Sequence, residues 1–201
     1  MKTKKEPGPD GIPNVVLRTA VVTNPDIFSI LQTCLDEEHF PRQWKRQLLV
    51  LLPKPGKPIG DPGSCRPVCL LDTVGKLLER IILNRLTKYT ESERGLSTSQ
   101  FSFRSGKSAV DAIRKIVEAA DRARTKKRKG NRFSGVVTVD VKNALNSANW
   151  EAIANALHEI KVRDHLCRIL QSYFQDRTLL YNTDEGQKQF TITTGVPQGS
   201  L

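Results

Sequence analysis

Val136-Val137-Thr138-Val139-Asp140-Val141 is the stretch whose reading decides the fold. Its β-branched residues suit a pleated surface, the run is too short for a helix, and polar residues flank it, so it is predicted as a central strand. Asp140 is the anomaly inside it. A strand buried on both faces makes an unpaired carboxylate costly, so a cationic partner is expected. Two roles fit: a metal ligand at the carboxyl end of a core strand, or a cap for a helix that follows within a few residues.

Outward from that strand the chain reads as mixed α and β. On its N-terminal side, Val110, Ile113, Ile116, Val117 and Ala120 recur at helical spacing between Ser108 and about Lys126. Val74, Leu77, Leu78, Ile81, Ile82 and Leu86 mark another helix, with Lys76, Glu79, Arg80 and Arg85 on its other face. Gln47 to Leu52 reads as a short buried strand that stops at the breaker cluster Pro53-Lys54-Pro55-Gly56-Lys57-Pro58, and Val68 to Leu71 as a second apolar run. A short helix is expected around Val16 to Val21, and a longer one from Asn24-Pro25 to near His39. On the C-terminal side, Trp150, Ile153, Leu157 and Ile160 form one helical stripe and Leu166, Ile169, Leu170 and Tyr173 another. Gln189 to Thr194 alternates as a strand, and Gly195 to Ser200 is a loop.

The 201 residues, 38% hydrophobic and 26% charged, suffice for the core of one domain or one and a part. The net charge of +11 is uneven: residues 1–134 hold 26 bases and 14 acids, residues 135–201 hold 6 and 7. A polyanion is the first partner to consider. Cys34, Cys65, Cys69 and Cys167, with three histidines, do not complete a zinc pattern, so reduced intracellular thiols are expected. There is no apolar run of membrane-spanning length and no signal-peptide pattern, which predicts a soluble chain without a membrane partner. Hydrolase triads, Walker-type loops and dinucleotide fingerprints are absent as motifs.

Several groups fit polyanion chemistry, each beside a plainer role. Lys54, Lys57 and Arg66 lie around two apolar strands and suit phosphate contact, although solvated loop charge is the more ordinary role for each taken singly. Seven bases and no acid between Arg122 and Arg132 suit backbone phosphates, a nuclear-import signal or a solvated loop. Phe101 and Phe103, spaced by Ser102 and followed by Arg104, suit either a base-stacking platform or a core.

Six segments in order then resemble the reverse transcriptases of non-LTR retrotransposons. They are PGPDGIP (7–13), LLPKPGKP (51–58), CRPVCLLDTVGKLLERIILNRL (65–86), SQFSFRSGKSAVDAI (99–113), VDVKNALNSANW (139–150) and GVPQGS (195–200). The resemblance implies an α+β right-hand polymerase fold: a fingers-like region over 1–134 and the start of a palm over 135–201, together one partial domain. It implies nucleotidyl transfer, in which a primer 3′-hydroxyl attacks the α-phosphate of a deoxynucleotide on an RNA template, assisted by two Mg²⁺ ions. Asp140 takes the catalytic first-metal role in that resemblance, and Val141 offers a backbone carbonyl to the metal. Arg66, with Lys54 or Lys57, clamps phosphates. Asn143 and Ala144 face the triphosphate through backbone groups, Leu145 lies under the sugar, Gln198 approaches the sugar and templating pair, and Gly199 permits a tight backbone.

The chain departs from the pattern at three places. Leu145 replaces an aromatic, which relaxes sugar discrimination, and Ser102 replaces a glycine in a turn. The aromatic-x-Asp-Asp block expected after residues 195–200 lies beyond Leu201, so an incomplete, truncated domain with weak or no Mg²⁺ binding and no polymerase activity of its own is expected. The alternative is a non-catalytic basic module that binds RNA or an RNA/DNA hybrid. An intracellular, nuclear location is expected.

Overall fold

The computed structural model describes residues 6–58, 62–125 and 135–197. They divide into two compact units, one formed by 1–87 with 143–201 and the other by 88–142. Helix α1 (Asn14–Thr23) and α2 (Asp26–Asp36) open the first unit. The Asn24 side chain accepts the Asp26 N–H at 2.9 Å across Pro25, which satisfies a backbone donor at the start of α2.

Strand β1 (Arg46–Pro53) pairs antiparallel with β2 (Cys65–Leu71) from Gln47 to Pro53. It also pairs parallel with β3 (Arg177–Thr183), but only over Arg46–Leu48. Strand β4 (Gly186–Ile192) closes the sheet antiparallel to β3, giving the order β2-β1-β3-β4. One sheet therefore takes strands from both sides of residue 134. Because the two hairpins share so short a zone, the outer half of β1–β2 continues as a two-stranded ribbon, with Leu51 and Leu52 about half exposed.

Helix α3 (Thr73–Thr90) buries Leu78 and Ile82, α5 (Trp150–Glu159) buries Leu157, and α6 (Asp164–Phe174) buries Leu166 and Ile169. Phe40 is fully buried at the centre, edge-on to Tyr173 at 5.0 Å and to Trp44 at 6.4 Å between ring centroids. The opening PGPDGIP segment clasps the start of α3. Asp10 accepts the Thr73 N–H at 3.2 Å, Asp72 accepts the Asp10 N–H at 2.9 Å, and the Thr73 hydroxyl donates to the Ile12 carbonyl at 2.6 Å. A Cβ on Gly8 would lie 2.2 Å from the Leu71 carbonyl oxygen, so only glycine fits there.

In the second unit, α4 (Ala109–Thr125) buries none of its residues, and its stripe of Val110, Ile113, Ile116 and Val117 stays exposed. The central strand predicted at 136–141 does not form: residues 135–141 carry no ladder and Val137 is 89% exposed. Strand preference is a fit to neighbouring strands and a packed face, and none of β1–β4 pairs with this run. Strand β3, by contrast, was not predicted. Its Thr178-Leu179-Leu180-Tyr181 run before Asp184-Glu185-Gly186 carries the hairpin signal.

Candidate functional site

Lys54, Lys57 and Arg66 all sit at the free end of the β1–β2 ribbon. Arg66 is the cross-strand partner of Leu52, and Lys54 and Lys57 begin the connecting loop. Gly56 supplies the positive φ of that turn. Lys54 is partly engaged, since its Nζ donates to the Gly63 carbonyl at 2.8 Å and its N–H to the Ser64 carbonyl at 2.8 Å. Lys57 and Arg66 are exposed and form no ion pair among the described residues. The ribbon tip thus carries two exposed cations, Lys57 and Arg66.

Asn143, Ala144 and Leu145 lie in an exposed turn that begins with Asn143 at φ 56°. The Asn143 carbonyl accepts the N–H groups of Asn146 and Ser147 at 2.9 and 3.0 Å. The turn is stitched to the loop after β4 by four bonds: Val196 N–H to the Leu145 carbonyl (2.8 Å), Gly195 N–H to the Ala148 carbonyl (2.8 Å), the Thr194 hydroxyl to the same carbonyl (2.9 Å), and the Trp150 indole N–H to the Gly195 carbonyl (2.7 Å). Gly195 has φ 84°, and a Cβ there would meet the Asn146 carbonyl oxygen at 2.6 Å. Two distant segments are locked edge to edge at that glycine. Gln198 and Gly199 lie outside the described residues, as does most of the basic run ending at Arg132.

A cavity of about 380 Å³ joins these parts. Leu49, Pro67 and Cys69 of the ribbon form one wall, and Asn146, Val196 and Pro197 another. Gln47 and Arg177, each 1% exposed, also border it. Gln47 Oε1 and Arg177 Nε and Nη2 have no hydrogen-bond partner there. Burying such groups without partners is unfavourable, and since these atoms are themselves sealed from solvent the cost is carried within the core behind the cavity wall. Neither residue was among the predicted site residues. Arg177 opens the strand that the sequence reading missed.

Asp140 and Val141 belong to the second unit and are both exposed. Asp140 is not the cap of the following helix. Asn149 takes that role for α5, its side chain accepting the Ala152 N–H at 2.9 Å. One carboxylate and one backbone carbonyl supply two of the oxygens that Mg²⁺ requires. Among the described residues no group of three His, Cys, Asp or Glu is arranged to hold a metal.

Cys34, Cys65 and Cys167 are free thiols. Burial pushes the Cys34 and Cys167 thiols above their ordinary range, which suits packing rather than reactivity. No helix among the described residues is long and apolar enough to cross a membrane. The glycine expected at position 102 is not needed for the backbone, because the left-handed residue of that turn is Phe103, at φ 58°.

Residues 52–201 match the family described as reverse transcriptase (RNA-dependent DNA polymerase). The chain is 35% identical over 202 residues to the retrovirus-related Pol polyprotein from type-1 retrotransposable element R1 of Bradysia coprophila, covering 99% of this chain and 19% of that protein. It is 29% identical to the probable RNA-directed DNA polymerase from transposon BS of Drosophila melanogaster, covering 98% of this chain and 22% of the relative. The RNA-directed DNA polymerase from mobile element jockey of the same fly is also 29% identical, over 98% of this chain and 21% of its own length. The chain spans about a fifth of each of these relatives.

Proposed function

Since the chain belongs to the reverse transcriptase family, as part of such a domain from a non-LTR retrotransposon, we propose that it contributes the nucleotide-facing wall of an RNA-directed DNA polymerase. The observation that carries this reading is the stitched pair of the Asn143–Trp150 turn and the Thr194–Pro197 loop, facing the ribbon across one cavity. In this reading residues 1–134 act as fingers and residues 135–201 begin the palm. Lys57 and Arg66, with Lys54 as helper, meet the triphosphate from the ribbon tip: lysine as a point charge, arginine as a planar fork. Asn143 and Ala144 present backbone groups to the phosphates, and Leu145 lies under the sugar. Gln198 is assigned to the sugar and templating pair, and Gly199 to a tight backbone, from the resemblance of GVPQGS to the family's motif. RNA template, DNA primer and deoxynucleotides are the partners.

Asp140 is the carboxylate assigned to the metal, with the Val141 carbonyl beside it. One carboxylate holds two Mg²⁺ ions poorly, so the 201-residue polypeptide is proposed to bind nucleic acid without extending a primer. A primer-extension assay on the purified chain, with RNA template, DNA primer and Mg²⁺, tests this. No incorporation is expected. Incorporation that Asp140→Ala abolishes would overturn the proposal of inactivity while upholding the role of Asp140.

A further inference from the structure

The second unit carries an aromatic side chain that its own packing does not use. Phe103 is 100% exposed, and its backbone sits at φ 58°, a region unfavourable for a bulky side chain. Exposure of a whole phenyl ring and a left-handed backbone are both costs, and a glycine or asparagine would avoid both. The turn is nevertheless rigidly held. Next to Phe103, the Arg104 side chain is only 7% exposed: it grips Glu91 through Nε and Nη2, at 3.0 and 2.6 Å, and donates to the Leu96 and Ser97 carbonyls. Lys107 donates to the Thr98 carbonyl and Lys115 to the Ser99 hydroxyl, and both ammonium groups stand over the Phe101 ring at 5.6 and 5.8 Å. Arg104 is thereby spent on the fold rather than on phosphate, and the backbone that carries Phe103 is held while its ring stays in solvent.

We propose that Phe103 is a stacking platform for an unpaired nucleobase, so that this turn holds single-stranded RNA; the inference rests on the nucleic-acid reading above. Charge selects the occupant. Residues 88–142 hold 14 bases against 6 acids, a net +8 within a chain of net +11. An apolar protein partner gains nothing from that excess, whereas a strand of phosphates releases counterions against it and offers a base face to the ring.

The test is fluorescence anisotropy of a labelled single-stranded RNA oligonucleotide with the full 201-residue chain, repeated over a salt series. Phe103→Ala is expected to weaken binding by about tenfold, the loss of one base–aromatic stack, while leaving the salt slope unchanged because no phosphate contact is lost. Phe103→Trp should retain affinity, and Phe103→Leu, apolar but unable to stack, should behave as Ala. Equal affinity for wild type and Phe103→Ala, or full affinity with Leu, overturns the platform while the nucleic-acid reading stands. Absence of RNA binding by wild type at low salt overturns both. A dimer of the chain that Phe103→Ala dissociates would show instead that a second copy covers the ring.

Discussion

Glu79 shows how a buried charge sets conditions on this fold. It lies on α3, 9% exposed, accepts a hydrogen bond from the Tyr173 hydroxyl, and has Arg177 and Lys76 nearby. Arg177 in turn stands over the Tyr173 ring at 4.3 Å. Burial, only partly offset by the Tyr173 hydroxyl and the two positive charges, pushes the Glu79 carboxyl above the ordinary carboxylate range, and burial likewise raises the Tyr173 hydroxyl. An acid whose folded pKa is raised contributes stability that is fully present below its unfolded value and is lost as pH rises through the folded value. Glu79→Gln removes that titration and keeps the bond to Tyr173. Urea unfolding over a pH series should therefore show wild-type stability declining more steeply than the variant's as pH rises above about 4.3. Parallel pH profiles would mean that the group ionises in the fold without penalty.

Between elements, the joint at Gly195 decides whether the site exists. The Asn143–Trp150 turn and the loop after β4 have no sheet ladder between them, so four hydrogen bonds and one close backbone approach hold them together. Gly195→Ala adds a Cβ 2.6 Å from the Asn146 carbonyl oxygen at a φ of 84°. A loss of at least about 2 kcal/mol in unfolding free energy is expected, from strain and clash together. Thermal unfolding measures it, and a change within about 0.5 kcal/mol would mean that the joint yields freely. The surface ion pair between Glu38 and Arg168, which lowers the Glu38 carboxyl, is by contrast a minor element of stability because water screens it.

For the whole molecule the governing quantity is the uneven charge. If the basic surface holds nucleic acid through phosphates, affinity for a labelled RNA/DNA hybrid should fall roughly tenfold or more between about 50 and 200 mM salt. Asp140→Asn should leave it within about twofold, since one acidic group on the surface takes no phosphate. Salt-independent affinity would refute the electrostatic account. The same arithmetic was legible in the sequence, as were the helices around Leu78, Val110, Trp150 and Leu166, because helical stripes and breaker clusters are local. So was the family, carried by short motifs in order. The strand at Val136–Val141 was misread, and β3 missed, because a strand is completed only by partners far along the chain: β1 finds β3 some 130 positions away, and the valine run finds none among the described residues. The sequence by itself determined composition, helical faces and the residue types that a polymerase site would employ. Only the tertiary structure decided which of them meet, bringing Gly195 against Asn146, setting Arg177 beside a cavity and leaving Phe103 in solvent, because proximity across a fold is set by packing and not by spacing.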